Sequence, residues 1–332
     1  MGFLSGEGLA GMIYFVCPDP QRFISGGNLF NLQIIEGLEV LGRPVCAIPA
    51  QDFKNLNTSP HDIILFDSIY LKEIPSLALY KTRGIKMVLI HLLPSMTDKT
   101  IEPKIEREWL APFDFILANS GFTRDYLLQR HFSPDRIRVI QPWIGKTLPS
   151  TLLNRDKLIV VANWYPAKQI DLLLRQLTLH RLPDGLIIRF FGDTQVDPAY
   201  TRKCLSILDL APGLKNHVSL EGQVPWKSLQ KIFLETRCLV DVSGFESYGM
   251  AVAEAIVCGA AVLTLGNGQV RHWIGHGRCR GCNDIHELIG KLVLIHENKL
   301  QISPNPVIDI ITEGPVFRQQ LVEVFRSPSS DY

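Results

Sequence analysis

No run of apolar residues in this sequence approaches the ~20 needed to span a bilayer, so a membrane-spanning helix is not expected, although loose peripheral contact with a membrane stays open. Nor does one sign of charge dominate: 34 Lys+Arg oppose 33 Asp+Glu, a net charge of +1. Residues 1–150 hold 15 of each sign and the remainder 19 and 18, so neither half has the basic surface that a nucleic-acid partner requires. Cysteine is sparse, scattered and odd in number at seven, which predicts reduced, mostly buried thiols rather than a disulfide framework. The N-terminus lacks the basic start, long apolar segment and cleavage site of a secretory leader, and a cytoplasmic location is the expectation. Low-complexity stretches and internal repeats are absent, beyond a general similarity of two α/β halves. What remains is a chain of 332 residues, 46% hydrophobic and 20% charged. That exceeds the usual size of one core and suffices for two.

Short apolar runs alternate with helix-like segments almost throughout. Met12–Cys17 (MIYFVC) reads as the first strand. The segment NLFNLQIIEGLEVLG follows as an amphipathic helix, with Leu29, Leu32, Ile35 and Leu38 on one side and Gly42 as its stop. PVCAI, DIILF, KMVLIH and FDFILANS read as further buried strands, GFTRDYLLQRHF as a helix, and RIRVIQPWI closes the series. GKTLPSTLLNRD, residues 145–156, breaks the rhythm and reads as a linker. A second series then runs from KLIVVA through IDLLLRQLTLH, GLIIRFFG, AYTRKCLSILDL, HVSLEG, WKSLQKIFLET, CLVDVS and MAVAEAIVCG to AAVLTL. Strand and helix in repetition predict an α/β fold of two doubly wound, Rossmann-like domains with parallel sheets covered on both faces. The expected boundaries are residues 1–148 and 149–312, with a C-terminal helix near 313–328, its first turn marked by Pro315, returning to the N-terminal domain. In open sheets of this kind ligands sit beyond the carboxyl ends of the strands.

One segment of that description stands out. In Phe245–Leu263 (FESYGMAVAEAIVCGAAVL) Glu246 follows a strand, Gly249 opens the next helix, Glu254 lies about one turn inside it, and Gly259 suits its left-handed end. The unpaired amides near Gly249, Met250 and Ala251, with the helix dipole behind them, favour an anion such as a diphosphate. Glycine lets the backbone approach it closely. Carboxylates on either side would be repelled by that anion and so suit the hydroxyls of sugar and ribose. The spacing by itself equally describes an amphipathic helix with exposed glutamates.

The wider pattern closely resembles the Glu-x7-Glu signature of retaining GT-B glycosyltransferases of the family 4 type. There the first Glu contacts sugar hydroxyls and the second the ribose. AEAIVCGAAVL is similar to that family's LEAMACGTPVV, while Ser247 and Tyr248 stand where Pro and Phe are common. Val160–Leu174 (VVANWYPAKQIDLLL) resembles VGRLxPEKGxDLLL, so Lys168 takes the place of the phosphate-binding Lys. Asn163 stands where the family has Arg, and a neutral amide cannot replace a charged bidentate fork. Arg271 and Arg189 are alternative cations. Leu117–Ile140, which holds the helix-capping candidates Ser120 and Thr123, resembles the family's NSEFTRDxL…PxRIxVI.

The resemblance, over roughly residues 10–290, implies GT-B architecture: two Rossmann-like domains facing each other across a cleft. It implies that His91, at the end of KMVLIH, lies near the reacting sugar, although a lone His beside an apolar strand is more often structural. It implies that Gly26 and Gly27, in ISGGNLFNL, form a phosphate loop; this is not a dinucleotide fingerprint, so NAD is not supported. Gly192 and Val224, in FFGD and LEGQVPWKSL, would wrap the nucleobase with backbone groups. The implied activity is retaining hexosyl transfer from a UDP- or GDP-linked sugar to an acceptor hydroxyl, with His91, Lys168 and Glu246 catalytic and no cofactor or metal. The acceptor (saccharide, lipid-linked glycan, protein or small molecule) is not readable. Two alternatives stand beside it: a non-catalytic binding partner subunit, motivated by Asn163, and a sugar-nucleotide epimerase, for which no acid/base pair for elimination is identifiable. His272, His276, Cys279 and Cys282 offer zinc-type ligands at a spacing unlike a standard finger.

Overall fold

The computed structural model describes residues 11–19, 25–77, 79, 82–98, 100–145, 155–307, 310 and 313–326. Of the expected linker only Gly145, Arg155 and Asp156 fall among them. The chain divides into two units, Met1–Trp143 with Gly314–Tyr332, and Ile144–Glu313.

The first unit is built on a six-stranded parallel sheet in the order β2-β1-β3-β4-β5-β6. Its strands are β1 (Ile13–Val16), β2 (Val45–Ile48), β3 (Ile63–Asp67), β4 (Ile85–Ile90), β5 (Phe115–Ala118) and β6 (Ile137–Val139). Its helices are α1 (Gly26–Val40), α2 (Pro94–Thr97), α3 (Pro103–Leu110), α4 (Gly121–Gln129) and, from the chain's end, α10 (Gly314–Val324). Every residue of β3 is buried, as a central parallel strand requires. β2 departs from expectation: it is the edge strand, none of its residues is buried, and Cys46 is exposed. An apolar run cannot by itself distinguish a central strand from an edge.

α1 also differs from its sequence reading. It begins at Gly26, so Gly26 and Gly27 are the first helical turn rather than a loop before it. Ser25 caps that turn, its side chain accepting from the amide of Asn28 at 3.1 Å; a serine cap contributes about 1 kcal/mol, enough to offset one helical glycine. The buried stripe is Phe30, Ile34 and Leu38 with Asn28 and Asn31, and of the four predicted positions only Leu38 is buried. The helix is rotated because it has a second neighbour. α10 buries Phe317 and Leu321, and the Phe317 ring meets Phe30 at 6.4 Å. The amide of Gln141 donates to Gln320 Oε1 at 3.0 Å, and Arg138 donates to the Val324 carbonyl.

The second unit holds another parallel sheet, in the order β12-β11-β10-β7-β8-β9. Its strands are β7 (Lys157–Val161), β8 (Ile188–Phe191), β9 (Val218–Gly222), β10 (Thr236–Asp241), β11 (Ala261–Thr264) and β12 (Arg278–Gly281). Helices α5 (Ile170–Leu177), α6 (Pro198–Leu210) and α9 (Ile285–His296) share one core, and α7 (Trp226–Glu235) and α8 (Met250–Val257) share another. α5 shows what holds these layers. Ile170, Leu173, Leu174 and Leu177 are each at most 1% exposed. Burying four such side chains contributes roughly 6–12 kcal/mol gross, whereas the Lys203–Asp171 pair at 2.6 Å sets its attraction against the cost of burying the carboxylate. The apolar stripe therefore fixes the helix. Among the described residues no helix is long and apolar enough to cross a membrane.

Candidate active site

Sheet growth in the second unit reverses between β7 and β10, because β8 and β9 extend one side and β11 and β12 the other. The loops after β7 and β10 are therefore neighbours at a topological switch point, where open sheets place ligands. Lys168 ends a single-turn 3₁₀ segment, Pro166–Lys168, in the first loop, and Glu246 lies in the second. A backbone bond from Gly244 N–H to the Ala167 carbonyl, 2.8 Å, staples the two loops together.

Lys168 Nζ donates to Glu246 Oε1 in a close ion pair, with side chains only 16% and 18% exposed. Burial alone would lower the Lys168 pKa, but the charge and hydrogen bond of Glu246, with Tyr165 and Asp241, together outweigh it and keep the ammonium protonated. Behind the pair stands Asp241, the last residue of β10. Thr264 Oγ1 donates to Asp241 Oδ2 at 2.7 Å and the Ser243 amide to Oδ1 at 3.1 Å. Burial, then the negative charge of Glu246, pushes its carboxyl above the ordinary range. Asp241, Glu246, Gly249, Ala251 and Val252 line a concavity of about 220 Å³.

α8 begins at this concavity. Gly249, its N-cap, has φ +89°, and a Cβ there would lie 2.5 Å from Val270 Cγ2, so the position requires glycine. Met250 and Ala251 follow as the first two helical residues, whose amides have no intrahelical acceptor. Ser247 is half-buried in the preceding loop, while Tyr248 is buried with its ring edge-on to Trp273 at 5.1 Å. One turn into α8, Glu254 is 7% exposed and accepts from Trp226 Nε1 at 2.7 Å. Burial pushes its carboxyl up to about 7, against a smaller opposing effect of the indole bond. It lines a second concavity, of about 230 Å³, with Trp226, Gln230, Phe233 and Cys258.

The remaining candidates in this unit have bracing partners. Asn163 Oδ1 accepts from the Asp193 amide at 2.9 Å, tying the loop after β7 to the loop after β8. Gly192 N–H donates to the Gly222 carbonyl at 2.9 Å, and half-buried Val224 packs on the core beneath α8. Arg189 is paired with Glu221 at 2.7 Å, and Arg271 is exposed. The tempting metal segment is dispersed: Cys279 and Cys282 enter different cores, and His276 Nδ1 lies 3.3 Å from the Pro306 carbonyl. Among the described residues no group of three or more His, Cys, Asp or Glu could hold a metal.

In the first unit β1 is likewise the switch strand, with β2 on one side and β3 on the other. His91 follows β4, and its Nε2 lies 2.8 Å from Asn31 Oδ1 and 3.5 Å from Asp67 Oδ2. A Cβ on Gly27 would lie 3.3 Å from the imidazole Cγ, so the first turn of α1 and His91 adjoin. Ser120 caps α4 through the Thr123 amide at 3.0 Å.

Four positions escaped the sequence reading: Asp241, Trp226, Asn31 and the turn after β11. There the Gln269 amide donates to the Glu246 carbonyl at 2.8 Å, and a Cβ on Gly268 would fall 2.0 Å from that oxygen. The Gly266–Asn267–Gly268 punctuation after a strand was the available signal for the turn. A charge ending an apolar strand was the signal for Asp241.

Residues 150–300 match the family model of glycosyl transferases group 1. The second unit thus resembles a glycosyl transferases group 1 domain, an enzyme domain of the transferase class. No curated protein matches the chain. Among solved structures, HepE from Anabaena, in complex with UDP and glucose, is 14% identical with a TM-score of 0.68, covering 96% of this chain and 100% of that one. Sucrose-phosphate synthase from Thermosynechococcus elongatus is 17% identical with a TM-score of 0.71, covering 95% of each chain. A glycosyltransferase from Rickettsia africae is 15% identical with a TM-score of 0.62, covering 96% of this chain and 95% of that one. At these identities the likeness shows the fold: two parallel six-stranded α/β units of the GT-B type.

Proposed function

We propose that the chain is a family 4-type retaining glycosyltransferase that moves a hexosyl group from a UDP- or GDP-linked sugar to an acceptor hydroxyl. The observation that carries this reading is the Lys168–Glu246 pair beside the glycine-started α8 at the β7/β10 switch point. A donor diphosphate takes Lys168 and the amides of Met250 and Ala251. Released from the lysine, Glu246 accepts from sugar hydroxyls, and Glu254 from the ribose. Loops bearing Asn163, Gly192 and Val224 enclose the base. The leaving phosphate removes the acceptor proton on the face it departs from, so the protein's work is positioning and charge stabilisation. No metal or cofactor enters this scheme, and Gly26, Gly27 and His91 serve the acceptor-side domain. HepE was also solved with UDP-glucose, which makes UDP-glucose the first donor to try.

Calorimetry and donor-turnover assays with UDP-glucose and GDP-mannose test it. Glu246→Ala and Lys168→Ala should abolish turnover in folded protein, and near-normal activity in both would refute the assignment.

One observation favours a second reading. Asn163, where the related pattern has a phosphate-binding Arg, spends its oxygen on the Asp193 amide. A partner subunit without transfer activity would tolerate that. Failure of every nucleotide sugar to bind would decide for it.

A further inference from the structure

Behind His91 lies a set of polar side chains with almost no access to water. Asn31 is 0% and Asp67 3% exposed. Burial alone would raise the Asp67 pKa, but the opposing effects of His91, Asn31 and the Ile69 amide outweigh it and hold the carboxyl below its ordinary range. Asp67 Oδ1 accepts from the Ile69 amide at 2.8 Å. Asn31 Nδ2 lies 2.7 Å from Asp67 Oδ2 and 3.3 Å from Asn28 Oδ1. Reversing the amide would set its oxygen against two oxygens, so its orientation follows from the partners. Asn31 Oδ1 must then be the atom 2.8 Å from His91 Nε2, and an amide oxygen only accepts. Nε2 must donate.

A neutral imidazole carries one proton, so Nδ1 is left as a bare acceptor. A Cβ on Gly27 would stand over the ring, 3.3 Å from Cγ, 3.5 Å from Cδ2 and 3.6 Å from Nδ1, so the first turn of α1 packs against it. The ring is fixed from elsewhere too. The His91 amide donates to Ser68 Oγ at 3.0 Å, Asn119 Nδ2 donates to the His91 carbonyl at 3.3 Å, and Phe30 meets the ring edge-on at 5.9 Å.

We propose that Asn31 and Asp67 are positioning residues that hold His91 as its Nε2–H tautomer, so that the atom it offers to a bound carbohydrate is Nδ1, an acceptor for a sugar hydroxyl. The ligand rests on the transferase reading; the tautomer does not. His91 thereby recognises a hydroxyl as hydrogen donor and discriminates against a deoxy sugar at the position it contacts.

Nitrogen-15 NMR of the full chain labelled at histidine tests this, with His91→Gln identifying the signal. Above the imidazole titration, Nε2 should carry the proton and Nδ1 should resonate as a bare nitrogen; a proton on Nδ1 would overturn the proposal. In the Asn31→Ala/Asp67→Ala double variant both tautomers should appear, while persistence of pure Nε2–H would show that the pair does not hold the ring. Adding glucose should shift Nδ1 and leave Nε2 unmoved, and the reverse pattern would contradict the assignment. If neither UDP-glucose nor GDP-mannose binds by calorimetry, the transferase reading fails and the tautomer result stands by itself.

Discussion

Replacing Glu254 by glutamine isolates the cost of a buried carboxylate at the start of α8. The side chain is 7% exposed and its hydrogen bond comes from the Trp226 indole. Its carboxyl is pushed from an ordinary 4.5 up to about 7. A group whose acid form is favoured in the fold binds more protons there than in the unfolded chain, so stability falls as pH rises between those values. That difference corresponds to about 3 kcal/mol, lost progressively between about pH 4.5 and 7 and absent in Glu254→Gln. Glutamine keeps the shape and an oxygen for the indole, so packing is not the variable. Urea unfolding of both proteins from pH 5 to 8.5, followed by tryptophan fluorescence, measures the difference for the second unit's transition. The variant should gain up to about 3 kcal/mol over the parent at pH 8 and little at pH 5. Parallel pH profiles would refute the argument that this carboxylate is desolvated.

Other perturbations follow from the same geometry. Gly249→Ala should destabilise the second unit by about 1–3 kcal/mol, from φ +89° and the Val270 contact, and should weaken nucleotide-sugar binding more than it weakens the fold; thermal melts and calorimetry separate the two. Lys168→Ala should weaken donor binding about 10- to 100-fold, the worth of one charge-assisted bond to phosphate. It should leave the melt close to the parent's, because Glu246 keeps some access to water.

The fold was largely legible because its signal is local. Alternating apolar strands and amphipathic helices announced nearly every element of both sheets, and Gly259 and Ser120 marked a helix end and a helix start as expected. What the pattern could not carry was which neighbour each face meets. α1 turned its buried stripe towards Phe30 and Ile34 because α10, nearly 300 residues later in the sequence, covers it. β2 reads as apolar yet lies at an edge, since strand order is a property of the whole sheet. The candidate site shows the same division. Glu246, Gly249 and Glu254 fall on one contiguous segment and could be read directly. Asp241, Trp226 and Asn31 could not, because their partners come from separate loops and helices, and only the folded chain sets Trp226 against Glu254 or Asn31 against His91.

The anion expected at the start of α8 decides between transfer and mere binding. A crystal structure of the chain with UDP-glucose, or GDP-mannose should that bind instead, measures it directly. The diphosphate should lie against the amides of Met250 and Ala251, with Lys168 Nζ moved from Glu246 onto a phosphate oxygen and Glu246 on the sugar hydroxyls. A bound donor that leaves the Lys168–Glu246 pair intact and the head of α8 empty would contradict it.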